Sequence, residues 1–505
     1  MDGRREKVSL CRPCFYVMVL RRRTARLPGS GSMKHHAQKN DNSADLLAGV
    51  REGRKMSLPE QARMVFSLSL PAIMAQLSSI VMQYIDASMV GHLGSMQAAA
   101  VGMMAPATWL FSGLCTSVSI GFTVQTAQAI GGKRDAAARN LMKEGLVMGL
   151  CTAAVLALLG VILAFPMPVW LNGAPEVTGD ATRYFFVYAF ALPAVFLNYF
   201  CGGMLQASGN MKVPSALNIM MCFLDVIFNA VLIFPSRYVQ IGGVRVFVPG
   251  AGLAVAGAAL GTALAVLACS LLMLRAMLRA DIYAKRSGER LVFNRSDISK
   301  AVKLALPVAF DTIIQDIAQV VQIAMISSLG AAAVAAHSLS VTAESFCYMP
   351  GYGIAVAASA IIGQSIGAKR DDMTRSLGYM ITALGMGIMA VSGLLLFIFA
   401  PVLIGLLSPD PAIREAGTAV LRIIAFAEPF FGGAIVISGV LRGAGDTLIP
   451  SVMTFLCMWV VRLPLLYILS GRYGLSGAWA AMGIELFTRG VVFLLRLRGK
   501  KWSMA

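Results

Sequence analysis

Charged side chains are scarce. Only 13% of the 505 residues are Asp, Glu, Lys or Arg, where a water-soluble domain carries about 25%. With 57% apolar residues and a mean hydropathy of +0.72, the shortfall excludes a soluble globular chain. Histidine is rarer still, and His35, His36, His92 and His337 form no ligand cluster. The nine cysteines show no disulfide framework: Cys115, Cys151, Cys201, Cys222, Cys269, Cys347 and Cys457 lie in apolar runs and read as small packing residues. Cys11-x-x-Cys14 is a lone pair in a basic tail. The chain also lacks a Gly-x4-Gly-Lys-Ser/Thr phosphate loop, an Asp-rich Mg²⁺ motif and a recognisable Ser/His or Asp-pair protease motif. These absences speak against ATP drive and against a membrane-embedded enzyme, and no organic cofactor or metal is expected.

What charge there is has been placed. The net +18 is nearly all held by residues 1–62, by Arg275 to Lys303 and by Arg489 to Lys501, which carry +7, +5 and +5. A basic patch without a soluble module to carry it points to membrane flanks, and no nucleic-acid partner is expected. The expected partner is membrane lipid. Residues 1–60 read as a basic, disordered extension, in which Phe15–Leu20 is too short for a signal-peptide core of about 7–15 residues. Met33 and Met56 offer alternative starts.

A spanning helix needs about 20 mostly apolar residues. Twelve such stretches follow, at 64–89, 97–122, 140–165, 184–207, 213–235, 251–278, 302–328, 334–361, 376–401, 415–440, 449–470 and 475–496. The loops after the even-numbered spans hold Lys133/Arg134/Arg139, Lys212, the Arg275–Lys303 block, Lys369/Arg370/Arg375 and Arg442. They share a side with both termini, which the positive-inside bias makes cytoplasmic. The expected location is a multi-pass inner or plasma membrane protein.

The chain repeats itself at an offset of 236: Pro71 matches Pro307, Gly94 matches Gly330, Gln128-Ala-Ile-Gly131 matches Gln364-Ser-Ile-Gly367, Pro193 matches Pro429 and Pro214 matches Pro450. The register then slips at an insertion, Pro235–Gly250. Two six-helix halves in one orientation imply an N-lobe at 61–280, a basic linker at 281–300, a C-lobe at 301–497 and a tail at 498–505. Parallel repeats of this kind build a transport site at their shared interface.

Several motifs then resemble the multidrug and toxic compound extrusion (MATE) family, in its DinF/NorM-like branch. They are Pro71-Ala-Ile-Met-Ala-Gln76 followed by Asp86-Ala-Ser-Met-Val-Gly91-His-Leu-Gly94, the twin Gln-x-x-Gly-Gly/Ala-Lys-Arg loops, and Leu441-Arg-Gly-Ala-Gly-Asp-Thr447. The resemblance covers about residues 60–497. It implies an all-α, V-shaped twelve-helix fold and a secondary exporter of organic cations and drugs. Such a protein is driven by Na⁺ or H⁺ and works by alternating access. A monomer exporting small cationic amphiphilic drugs is the expectation. A flippase or exporter of a lipid-linked or anionic substrate on the same scaffold is the alternative, although spans one to six hold few basic residues to grip a diphosphate.

Ionised carboxylates at a helix centre cost about 2.5–3.5 kcal/mol on insertion scales, so membrane acids are the functional candidates. Asp86 leads them and matches the acidic position of the family's first helix. Asp225 and Asn229 lie four apart on one helix face and can offer oxygens to Na⁺ or share a proton. The family shows an Asn followed by an Asp here, so this chain keeps the set with its order exchanged. The resemblance adds Thr262 to this N-lobe cation set, and it puts Asp316 and Glu428 near C-lobe cation positions. Glu344, ten residues into its span, is a candidate substrate contact or a buried partner of Arg422 or Arg462. Gln322 stands opposite Asp86 in the repeat and joins Asp316, Glu344 and Glu428 as a candidate for a substrate or second cation site. Pro71 is a candidate pivot, and Arg442 and Asp446 are expected to tie an inner loop or gate.

Overall fold

The computed structural model describes residues 42–52, 54, 56–171, 173–241, 244–284, 292–499 and 501–504. Cys11, Cys14 and the alternative start Met33 lie outside the described residues, as do most of the N-terminal extension and residues 285–291 of the linker. The elements run α1 (Asn42–Glu52), α2 (Leu58–Gly91), α3 (Ser95–Gly131), α4 (Asp135–Leu163), α5 (Met167–Trp170), α6 (Pro175–Ala207), α7 (Lys212–Leu232), β1 (Pro235–Ile241), β2 (Val244–Ala251) and α8 (Ala254–Arg279). The second half holds α9 (Arg295–Ser327), α10 (Ala331–Gly367), α11 (Asp371–Leu407), α12 (Pro411–Ala425), α13 (Glu428–Ala444), α14 (Leu448–Leu456), a π-helical turn (Cys457–Arg462) and α15 (Leu463–Arg498).

Without water in the hydrocarbon layer, each crossing must bond its own backbone, which leaves helices as the solution for such apolar runs. Nine helices of 21–37 residues cross singly. A tenth span is the pair α12 and α13, bent by 58° where Pro429 sits in the first turn of α13 and cannot donate to the preceding turn. The run Leu448–Arg498 is 51 residues long, about 76 Å if straight, against about 30 Å of hydrocarbon. Gly474, at φ 58° and ψ −138°, reverses it. Gly477 accordingly packs on the carbonyl of Leu469, which a straight helix would put about 12 Å away. The described residues therefore make twelve crossings.

The structure departs from the sequence expectation in three places. The Pro235–Gly250 insertion forms an antiparallel hairpin of β1 and β2, so the fold is nearly but not wholly helical. Residues 42–52, expected to be disordered, form α1, because Leu47 and Val50 find a buried apolar seat among α2, α10 and α13. The lobes are also not divided cleanly at residues 61–280 and 301–497. Met64, Val65 and Leu68, at the start of α2, pack with Ile354 and Ile361 of α10 and Val440 of α13 in the C-lobe core. The far end of α2 returns to the N-lobe, where Val90 packs with Ile233 and Ala258. Its counterpart α9 does the reverse. Ala301 sits in the N-lobe core, whereas Ala318 and Ile326 pack against Met458 and Leu466 in the C-lobe. Pro71 and Pro307 lie in the stretches where these helices change lobes.

At the end of the molecule that carries the basic loops, α3 and α10 cross backbone to backbone. A Cβ on Gly131 would overlap the carbonyl of Gln364, and one on Gly367 would overlap the carbonyl of Gln128. The two glutamines complete the crossing. Gln128 Nε2 donates to the Gly443 carbonyl at 3.3 Å, and Gln364 Nε2 donates to the Ala207 carbonyl at 2.7 Å. The twin Gln-x-x-Gly motifs thus form one pseudosymmetric seal. Gly131→Val or Gly367→Val should force it apart. A Ser359→Cys reporter on the inner side of the seal is then expected to react several-fold faster with a membrane-impermeant maleimide applied at the basic end. Unchanged labelling would show that the crossing does not close that end.

Candidate functional site

The N-lobe acids and amide meet in one cluster. Asn229 Nδ2 donates to Asp86 Oδ1 at 2.8 Å and to Asp225 Oδ2 at 3.1 Å. Asp225 and Asn229 are fully buried, and Asp86 is partly so. The i, i+4 spacing on α7 aims both α7 side chains at α2, which delivers Asp86 five residues before its end. Helix α8 closes the third side. Gly261 approaches so closely that a Cβ there would strike Asn229 Oδ1, and Thr262 beside it reaches the Asp225 carboxylate. Tyr184 of α6 stands near both acids. No signal marked Tyr184 in the sequence, because tyrosines are common along these helices.

Two oxygens of the cluster, Asp225 Oδ1 and Asn229 Oδ1, are buried without a hydrogen-bond partner among the described residues. Unsatisfied acceptors are expensive in a dry interior. With Asp86, Asp225, Asn229 and Thr262 the donor set is all oxygen, which suits a hard monovalent cation or a shared proton and does not suit a soft metal.

The C-lobe acids are arranged differently. Glu485 of α15 accepts from Arg462 at 2.6 and 3.0 Å and from Arg489 at 2.6 Å. Arg462 also donates to Gln322 Oε1 at 3.4 Å, and Gln322 Nε2 contacts the Met482 sulfur. Gln322 therefore serves a buried ion-pair network. Glu485 escaped the sequence reading although it stands four residues before Arg489 on one helix face, the spacing that signals such a pair. The direct ion pair of Arg462 is thus with Glu485, while Glu344 feels the same charge from a greater distance. Arg422 is exposed and lies over the Phe397 ring at 5.5 Å. Glu344 of α10 and Glu428 at the start of α13 are both buried beside Cys347, and both Glu428 oxygens lack partners. Asp316 stands apart, with Oδ2 buried and unpartnered.

Between the lobes lies a cavity of about 520 Å³, walled by α2, α3, α6, α7, α10 and α13. Gln76, Asn198, Gln206 and Asn218 give it amides, Tyr199 and Tyr352 give it rings, and Arg442 is its one charged lining residue among the described residues. None of the carboxylates named from the sequence lines it. Arg442 and Asp446 do not pair with each other, although Asp446 Oδ1 accepts from the nearby Ile449 backbone N–H, at the start of α14, at 3.3 Å. Arg442 reaches across to Asp311 of α9 at 3.7 Å, and Asp446 accepts from Arg496 at 2.6 Å. The left-handed Gly445 between them turns their side chains to different neighbours.

The MatE family model matches residues 71–231 and 307–468. The probable multidrug resistance protein NorM of Thermotoga maritima is 25% identical over 460 residues, 89% of this chain and 95% of that protein. The protein of the same name in Bacillus anthracis is 23% identical over 450 residues, 87% of this chain and 96% of its own length. Among solved structures, the Vibrio cholerae MATE transporter VcmN in the bent form has a TM-score of 0.77 at 20% identity, covering 88% of this chain and 99% of that one. A MOP superfamily transporter from Pyrococcus furiosus, described with a binding pocket of reverse polarity that suggests a different function, has a TM-score of 0.80 at 18% identity, covering 91% and 98%. At such identities the structures establish a common fold.

The contrast between the arginines is testable by thermal unfolding in detergent. Arg462→Ala strands one side of the buried Glu485 and should cost about 3–5 kcal/mol, whereas Arg422→Ala loses one exposed ring contact and should cost no more than about 1 kcal/mol. Equal effects would contradict the network. Gly261→Ala should destabilise by about 1–3 kcal/mol through overpacking against Asn229.

Proposed function

Because the chain belongs to the MatE family, we propose that it is a multidrug efflux transporter, a secondary exporter that exchanges drug-sized organic molecules for inward-moving Na⁺ or H⁺ by alternating access. The observation that carries the reading is the N-lobe cluster of Asp86, Asp225, Asn229 and Thr262, with its two unpartnered buried oxygens. An ion arriving there would satisfy the acceptors that the protein leaves open.

Coupling to the lobes would run through α2. One end of that helix belongs to the C-lobe core and the other holds Asp86 against Asn229, with Pro71 between them. Proline removes one rung of the helix ladder and makes bending inexpensive at that point. Loading or unloading the cluster would shift how Asp86 sits on α7. Bending α2 would then transmit that change to the C-lobe and so to the seal between α3 and α10. Glu344, Glu428 and Asp316 are the remaining candidates for a second cation or a cargo contact. Organic cations, the cargo that membrane acids suggest, would meet these C-lobe acids away from the inter-lobe cavity. In this proposal the protein works as a monomer in the inner or plasma membrane with both termini cytoplasmic, and the coupling ion takes the place of any cofactor.

Efflux of a fluorescent organic cation from proteoliposomes, under a pH gradient and a Na⁺ gradient imposed separately, tests the reading. Wild-type efflux should follow one gradient. Asp86→Asn and Asp225→Asn should each reduce it at least tenfold while leaving the folded yield unchanged. Efflux indifferent to both gradients would sink the proposal.

A further inference from the structure

The walls of the inter-lobe cavity carry a chemistry of their own. Its volume of about 520 Å³ is in the range of drug-sized ligand sites. Its polar lining is made of side-chain amides, hydroxyls and one guanidinium, with no carboxylate. An organic cation seated there would face the Arg442 guanidinium, countered only from behind the wall by Asp311 at 3.7 Å, and would find no carboxylate among the described lining residues.

Arg442 is also available. Its guanidinium pairs with Asp311 only at 3.7 Å, beyond hydrogen-bonding distance, and its side chain remains 31% exposed. Among the described residues no oxygen within hydrogen-bonding distance accepts from it. Five N–H donors in a rigid fork match a carboxylate bidentately. The amides of Asn198 and Asn218, joined at 3.3 Å across α6 and α7, and those of Gln76 and Gln206 can adapt as donors. Tyr199 and Tyr352 supply apolar faces for the body of a ligand. Asp311, buried behind Arg442 and outside the cavity lining, holds the guanidinium in place.

We propose that the inter-lobe cavity binds anionic amphiphiles bearing a carboxylate, with the acid held by Arg442 and the body laid along the amide and tyrosine walls. The assignment rests on the reading of the chain as an exporter and gives it a second cargo site, in the inter-lobe cavity, apart from the C-lobe acids that organic cations would meet. It gives the seal a second role, because Arg442 stands one residue from Gly443, whose carbonyl receives Gln128. Cargo held on Arg442 touches the helix end that closes the lobes.

Equilibrium binding to the full-length purified protein tests the assignment apart from transport. Three probes of one fluorophore are compared: dansyl-leucine, its methyl ester and a dansyl quaternary ammonium. Dansyl-leucine is expected to bind at least tenfold more tightly than either of the others. Arg442→Gln should bring its affinity down to that of the ester and leave the ester unchanged, and Arg442→Lys should restore part of the difference. Should the Gln variant fail to fold, the wild-type comparison of acid with ester still decides. Acid binding no tighter than ester binding, including no binding of either, overturns the assignment. A preserved acid preference with no gradient-driven movement of any probe supports the site and counts against the ion-coupled reading.

Discussion

Close approach of helix backbones at glycine is the constraint on which the other features depend. In lipid, helices gain little from burying apolar surface against one another, and contact at short range must supply the attraction. Gly131 and Gly367 let α3 and α10 cross at the seal, Gly353 brings α10 against Ile73 of α2, and Gly121 brings α3 against Ala301 of α9. Each of these contacts joins the two halves of the repeat. The same device inside the N-lobe, Gly261 against Asn229, draws α8 into the ion cluster. A methyl group at any of them would separate elements whose function depends on touching.

These contacts are possible because the first helix of each half is shared. Helix α2 begins in the C-lobe core and ends beside α7, and α9 begins against α3 and α4 and ends beside α15. The start of α9 is fixed by the Asn294 backbone N–H donating to Glu144 Oε1 at 2.6 Å and by Gln125 Nε2 donating to the Asp297 backbone carbonyl at 3.2 Å. Exchange of this kind makes the lobes mechanically dependent, since a bend in either shared helix moves a piece of both cores.

Two similar scaffolds nevertheless carry opposite electrostatics. In the C-lobe, Glu485 is neutralised by Arg462 and Arg489, an arrangement that ties the π-helical turn to the far half of α15. In the N-lobe, Asp86 and Asp225 share one amide, and among the described residues neither forms an ion pair. The repeat foretold this difference in part, because Gln322 and Val461 stand where Asp86 and Asp225 would repeat. It did not foretell that Glu485, from a stretch displaced by the register slip, supplies the C-lobe acid. A buried ion pair joins residues distant in sequence, and offset matching sees only equivalent positions.

The sequence by itself determined the membrane class, the number of crossings, the repeat and the pairing of Asp225 with Asn229. Apolar run length, proline and glycine punctuation and the 3.6-residue period are local properties, readable wherever they occur. Only the tertiary structure decided that α2 and α9 change lobes, that Arg442 faces a cavity and Asp311 instead of Asp446, and that the carboxylates stand away from that cavity. Which face of a uniformly apolar helix turns inward leaves little periodic trace, because lipid and protein interior are alike to an apolar side chain. That choice is made by partners hundreds of residues away.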